Sequence, residues 1–242
     1  DVTIGPTQSS QANDHFNTAL YTGDGQTTQD VTGVGFKPDF TWIKERNSTS
    51  GNVLANSNVG YEYFLSSQST QDESTGILNN NASRSNDGFQ TTNSGASNES
   101  GKTYASWNWK ANGGTLTTND ASVTGVGTID SQYQVNTDAG FSIITYTGTG
   151  TAGTIAHGLG KTPALLLTKN RSWDHEYSAW LWWHHKRGGT GFDASTNYAY
   201  LNLSSSGGTA TTSFYRGDQI SSTVFGVYTN DAINDASYNY VT

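Results

Sequence analysis

A chain of 242 residues with 20 acidic and 12 basic side chains carries a formal charge of −8, which repels the phosphate backbone that nucleic-acid binders neutralise with clustered cations, so nucleic acid is a poor partner. Cysteine is absent, which excludes disulfides, thiol nucleophiles and zinc thiolates, and no apolar run approaches the roughly 20 residues of a bilayer-spanning helix, so no membrane insertion is expected. Its 28 glycines, few charges and plentiful Ser, Thr and Asn favour sheets and tight turns over long helices.

Residues 1–15 are polar, with little core-forming content, and read as an N-terminal arm or linker. From Phe16 onward, turn residues separate short stretches of strand character: Thr18 to Thr22, Asp39 to Glu45, Asn52 to Ala55, Tyr61 to Ser66, Gly88 to Thr92 and Thr103 to Lys110. Pro38 stands just before the second of these, where its missing N–H costs no ladder bond. In the last, Ala105, Trp107 and Trp109 share one face and Tyr104, Ser106 and Asn108 the other; the two tryptophans predict that their face meets a core. Residues 112–139 are rich in Gly, Thr and Asn and read as a connector with one hairpin, turning at Gly113-Gly114 and Gly125-Val126-Gly127, without a helix signal.

At residue 140 the pattern begins again. Phe16, Tyr21-Thr22-Gly23 and Gly25 fall on Phe141, Tyr146-Thr147-Gly148 and Gly150 at a constant offset of 125. At that offset Gly33, Gly35, Pro38, Lys44 and Arg46 fall on Gly158, Gly160, Pro163, Lys169 and Arg171. A second block, Ala105-Ser106-Trp107-Asn108-Trp109, matches Ala236-Ser237-Tyr238-Asn239-Tyr240 at an offset of 131, which implies about six extra residues inside the second copy. The chain therefore divides into β-unit 1 at residues 16–111 and β-unit 2 at residues 140–242. The expected fold is all-β: two homologous antiparallel β-sandwich-like units side by side, with one large jelly-roll or sandwich formed by both repeats as the alternative. Leu165-Leu166-Leu167 is apolar on both parities, so this strand is expected to be covered on both sides, where the copies pack together.

The repeated motifs carry a resemblance. Gly35-Phe36-Lys37-Pro38-Asp39-Phe40-Thr41-Trp42-Ile43-Lys44, Gly140-Phe141-Ser142-Ile143-Ile144-Thr145-Tyr146-Thr147-Gly148, His157-Gly158-Leu159-Gly160 and Lys169-Asn170-Arg171-Ser172 resemble a duplicated β-domain family in virion structural proteins of tailed bacteriophages, many of them marine or cyanobacterial. The resemblance covers nearly everything after Phe16 and implies a non-catalytic component of the virion surface: a tail fibre, a tail-associated protein or a capsid decoration, with a role in host attachment. It implies other virion proteins as partners and a homo-oligomeric assembly, and it supplies no catalytic residues.

The densest chemistry lies between Trp173 and Arg187. Were this stretch a strand, Asp174 and Glu176 would point the same way about 6.5 to 7 Å apart, a spacing that glycosidases use for their carboxylate pair, so a sandwich-type glycoside hydrolase is one alternative function. The plainer reading is a solvated acidic face. Trp180, Trp182 and Trp183, with His184 and His185, are candidates for a host-glycan platform, since flat aromatic faces cover the C–H surfaces of sugars; this makes a carbohydrate-binding module the other alternative. The competing reading places Trp180 and Trp182 in the core, as Trp107 and Trp109 would be in the first unit.

Five histidines without an HExxH pattern predict no metal and no cofactor. Asn86-Asp87-Gly88 and Thr137-Asp138-Ala139-Gly140 fit no 12-residue calcium loop, and turn chemistry explains them. Lys44 with Arg46, and Lys169 with Arg171, lie at equivalent strand exits, either as anion-binding patches or, on the preferred reading, as guards of exposed strand edges.

Overall fold

The computed structural model describes residues 11–80, 84–175, 178–185, 198–203 and 214–242. The first unit contributes β1 (Phe16–Thr22), β2 (Thr28–Val31), β3 (Phe40–Glu45), β4 (Asn52–Asn56), β5 (Tyr63–Leu65), β6 (Ser74–Thr75), β7 (Phe89–Thr92) and β8 (Thr103–Trp109). Then follow β9 (Thr117–Asn119), the one-turn helix α1 (Ala121–Thr124) and β10 (Ser131–Asn136). The second unit adds β11 (Phe141–Thr147), β12 (Gly153–Ala156), β13 (Leu165–Asn170), β14 (Leu181–His184), β15 (Tyr198–Tyr200), β16 (Tyr215–Arg216), β17 (Val224–Val227) and β18 (Asn239–Val241). The fold is all-β and sandwich-like, with antiparallel strand pairing. No helix among the described residues is long and apolar enough to cross a membrane.

Each unit has two layers. In the first, a sheet of order β1-β8-β3-β4-β5-β6 faces the β2-β7 pair; in the second, β15-β14-β13-β18-β11-β10-β9 faces β12-β17-β16. Between the layers of unit 1 lie Val31, Val34, Phe36, Ile43, Val53, Leu78, Phe89 and Tyr104. Between those of unit 2 lie Ile144, Tyr146, Ile155, Leu166, Leu181, Trp183, Phe225 and Tyr240.

The stretch from Phe16 to Asn47 and that from Phe141 to Ser172 follow the same course. The pairs β1/β11, β2/β12 and β3/β13 start 125 residues apart, and Gly25/Gly150, Gly33/Gly158 and Gly35/Gly160 all hold positive φ. The closing strand obeys a different offset from the one read in the sequence. Tyr104 lies opposite Tyr21 and stacks on it, with ring centroids 5.1 Å apart, and Tyr240 does the same to Tyr146 at 5.2 Å. The Tyr104 hydroxyl donates to Gly95 O and accepts from Glu99 N; that of Tyr240 donates to Asp231 O and accepts from Asp235 N. The offset is thus 136, and the Ala-Ser-aromatic-Asn-aromatic match at 131 is a coincidence of composition: Ala236 and Ser237 lie in the turn before β18, where Ser237 has φ 71°.

The connector forms the expected hairpin, but with a helix in its turn that the sequence did not signal and with a place in the second unit's sheet. β9 and β10 pair antiparallel around α1, and β10 extends the second unit's sheet by lying along β11 from Ser131↔Tyr146 to Asn136↔Phe141. The sheet of unit 2 therefore begins at Thr117 rather than near residue 140. Helix α1 exists because Asp120 caps it, its carboxylate accepting from Ser122 N and Val123 N, while Gly125 closes it in the left-handed conformation.

The face of β8 that meets its own core is the polar one. Tyr104, Ser106 and Asn108 are buried, whereas Trp107 and Trp109 are half-buried on the other side. Burial of amides and hydroxyls is tolerated because they satisfy one another: Thr41 Oγ1 donates to Asn108 Oδ1 at 2.9 Å, Asn108 Nδ2 donates to Ser106 Oγ at 3.0 Å, and Thr41 also bonds the Tyr61 hydroxyl. The tryptophan face looks toward the other unit. There Leu54, Leu65, Ala111, Ile143, Trp180 and Val241 form a third cluster that draws on both units, with Phe40, Trp42, Phe141 and Leu167 packed against it. Of the Leu165–Leu167 run, Leu166 enters the unit 2 core and Leu167 the cluster between units, as two-sided cover requires, while Leu165 stays exposed.

Candidate functional site

The five residues nominated for sugar binding do not share one surface. Strand alternation sends Leu181 and Trp183 into the unit 2 core and Trp182 and His184 to the opposite face. Just before the strand, Trp180 is buried between the units, its Nε1 donating to Ser66 O of unit 1 at 2.8 Å. His185 follows in a turn, its ring 4.7 Å from that of His184 and its Nδ1 3.1 Å from Ala164 O. Trp182, His184 and His185 are the half-buried members. Asp174 lies in an irregular segment ahead of β14, not on a strand, and Glu176 is outside the described residues, so the strand geometry assumed for a carboxylate pair is not found.

The two cations at the exit of β13 have a role that neither sequence reading anticipated, whereas Lys44 at the exit of β3 bonds the nearby Glu45 O and Ser48 O and Arg46 is exposed. β3 and β13 are interior strands, so their lysines guard no edge. Lys169 is fully buried and its ammonium donates to Thr70 O of unit 1, Asn170 O and Ser178 Oγ at 2.7–3.1 Å. Burial lowers its pKa to about 8, against the partial opposition of Asp72 and Asp174. Arg171 makes a two-pronged pair with Glu73, at 3.1 and 2.8 Å, and its carbonyl accepts from Glu73 N. Together with the Trp180 bond to Ser66, these contacts clasp the 66–73 segment of unit 1 against unit 2.

A second junction lies at the other end of the interface. Asp39 is fully buried and accepts from Arg84 Nη1 and Ser57 Oγ on one oxygen, and from Ala111 N and Gly113 N on the other. Arg84 also lies over the Tyr61 ring, 4.9 Å from its centroid, while Gln134 of β10 donates to Ser57 and Asn58. Every acceptor position of this carboxylate is used for architecture, which leaves it no free lone pair for proton transfer.

One concave surface among the described residues is a groove of about 340 Å³ on the unit 2 sheet, lined by residues that include Asp130, Gln132, Thr145, Thr147, Arg171 and Asn239. The residue before Asn239, Tyr238, ends an aromatic stack: its ring is 5.3 Å from Trp173, which is 4.4 Å from His175, all nearly parallel. Tyr238 packs against the unit 2 core, whereas the groove itself is lined by hydroxyls and amides together with the charged Asp130 and Arg171. Tyr238 joins this stack from 65 residues away, a contact that the sequence reading, confined to 173–187, did not name. Among the described residues no group of three His, Cys, Asp or Glu side chains is placed to hold a metal ion.

Taken together, the architecture is that of a double β-sandwich protein whose buried polar groups fasten its own units together. Residues 11–242 match the model of a family described as Domain of unknown function (DUF7483), and the chain belongs to that family. No curated protein and no solved structure matches the chain.

Proposed function

We propose that the chain is a non-catalytic structural component of the surface of a tailed bacteriophage particle, located in a tail fibre, a tail-associated part or a capsid decoration, where it assembles with other virion proteins and contributes to host attachment. One observation supports this above others: the residues that carry the family likeness are architectural. Gly35, Gly158 and Gly160 make turns, Ile43, Ile144 and Tyr146 fill cores, and Lys169 and Arg171 fasten the units. Such a pattern suits a body that must withstand load and exposure rather than one built around a reacting centre. The test is to raise antibodies against the chain and label purified particles of the phage that encodes it for electron microscopy. Labelling of tail or capsid is the expected result; unlabelled particles that also lack its peptides by mass spectrometry would refute the proposal.

A second reading, a carbohydrate-binding module, is favoured by the hydroxyls and amides that line the groove between Thr145 and Asn239 and, separately, by the flat faces of the Trp173 stack. A glycan array should then show binding that Trp173→Ala reduces at least about tenfold, as loss of one aromatic contact does. An array at background with the wild-type chain removes this reading and leaves the first intact.

A further inference from the structure

The two units end differently at corresponding strands. In unit 2, β10 covers the edge of β11 over six registered pairs. In unit 1 the corresponding edge, that of β1, ends its sheet among the described residues. The other terminal strands of the two large sheets have two or three residues, β6, β9 and β15, which is how proteins blunt edges, but β1 has seven. Its sequence, Phe-Asn-Thr-Ala-Leu-Tyr-Thr, contains no charge and no proline to prevent pairing.

The hydrogen-bond phase of this edge is known. Gly23 N donates to Lys102 O and Lys110 N to His15 O, so odd-numbered residues of β1 bond β8 and the N–H and C=O groups of Phe16, Thr18, Leu20 and Thr22 point outward. Two of those groups have local partners, Thr18 N on Asn17 Oδ1 and Thr22 O on the Gln29 side chain. The outer face of the strand is apolar as well: Leu20 is 66% exposed and Phe16 39% exposed. Leu20 stands where unit 2 has Thr145, so leucine sits in water at a position where the other repeat carries a hydroxyl. Phe16 packs on Trp109 at 4.8 Å, and Trp109 on Phe141 of unit 2 at 6.2 Å, which makes the exposed strip continuous with the interface between units.

We propose that β1 is a homodimer interface, pairing antiparallel with β1 of a second copy of this chain about a two-fold axis at Ala19. The choice of a second copy rests on self-complementarity. With Ala19 opposite its own mate, Leu20 faces the partner's Thr18 and Phe16 the partner's Thr22, so the outward-pointing even residues meet one another in hydrogen-bonding phase. Each Leu20 then has the partner's Leu20 and the partner's Phe16 as diagonal neighbours, within reach of long side chains. A two-fold contact of this kind uses one patch twice and closes. It requires an uncharged strand with an open edge and apolar cover, and β1 supplies all three. The proposal does not depend on the particle reading above.

The test uses the full 242-residue chain. Light scattering after size exclusion should give a mass near twice 25.9 kDa at high concentration and near 25.9 kDa on dilution. Leu20→Lys should weaken association at least about tenfold, because a charge on an edge blocks pairing, with an unchanged circular dichroism spectrum. Val123→Lys, at an exposed position on α1, should have no effect. Because the chain has no cysteine, a mixture of Thr18→Cys and Leu20→Cys chains reports the register: the mixed disulfide should form in preference to either homodimer. A monomer at all concentrations overturns the proposal, including one in which the β1 amides are protected by another part of the same chain. So does a dimer indifferent to Leu20→Lys, or cross-linking that favours the homodimers.

Discussion

The same loop is stabilised by a carboxylate in one unit and by an imidazole in the other. In unit 1, Asp87 accepts from Gly35 N at 2.7 Å and Gly33 N at 3.1 Å, and these two bonds hold its pKa below the usual carboxylate range. In unit 2 the corresponding glycines are Gly158 and Gly160, and the buried His157 does related work: its Nδ1 accepts from Leu159 N at 3.1 Å, and Nε2 lies 3.2 Å from Ser221 O. Burial lowers the His157 pKa. The difference teaches that the repeat preserves backbone geometry, the positive-φ turns and the stacked tyrosines, while leaving the means of securing each turn free to diverge. Asymmetry is greatest where one unit meets the other, since Asp39 of unit 1 corresponds to Ala164 at the offset of 125 and its junction therefore occurs once.

Removing that unique junction is the strongest way to break the equivalence of the units. Asp39→Ala strands the buried Arg84 guanidinium and the N–H groups of Ala111 and Gly113, and should cost about 3–5 kcal/mol in urea unfolding. The turn glycines should respond unequally. At Gly33 an added Cβ meets nothing within 4 Å, so Gly33→Ala should cost only the left-handed backbone penalty of about 1–2 kcal/mol. At Gly158 the added Cβ would lie 2.3 Å from the Tyr133 ring, and overpacking should bring the loss to roughly 3 kcal/mol. The tyrosines test the opposite claim, that the repeats agree: Tyr104→Phe and Tyr240→Phe each remove one donated and one accepted bond and should each cost about 1–3 kcal/mol, equal within error.

The pH dependence sharpens the comparison further. Because the folded-state pKa of Lys169 is about 8 against 10.5 for a free lysine, the unfolded chain holds more protons between those values, so this group adds stability as pH rises above 8. The gain ends near pH 10, where the unfolded chain ionises tyrosines that burial keeps protonated in the fold, among them Tyr61, Tyr146 and Tyr215. Urea titrations between pH 7 and 10 should show this upward slope flattened in Lys169→Met. The smallest effect is expected on the acid side. A lowered histidine pKa means stability is lost as pH falls below 6.5 toward the folded value, whereas Asp87 yields only below the ordinary aspartate range of about 3.8. Hydrogen exchange at pH 5 should therefore show the Leu159 amide opening before that of Gly35; simultaneous opening would contradict the division of labour.

The strands of unit 1 were legible because period-2 alternation and turn residues are local signals, and Asp39 to Glu45, Asn52 to Ala55 and Thr103 to Lys110 each fall within a residue or two of the observed β3, β4 and β8. β2 escaped because Thr-Gln-Asp-Val has little apolar alternation, and β6 because two residues carry no pattern. The candidate site was legible only as a stretch of chain. Which tryptophan faces a core, the other unit or solvent depends on what covers each side of β14, and that is decided by elements distant in sequence.

The amino-acid sequence by itself determined the fold class, the 125-residue periodicity of the leading half of each unit and the places of the turns, because glycine at positive φ and alternating side chains are properties of neighbouring residues. Tertiary structure alone decided the 136-residue offset of the closing strands, the buried polar face of β8 and the clasp of Lys169 and Arg171 on the 66–73 segment. Each of these depends on hydrogen-bond partners brought together across long stretches of chain, and a polar residue reads as exposed until its partner is in place.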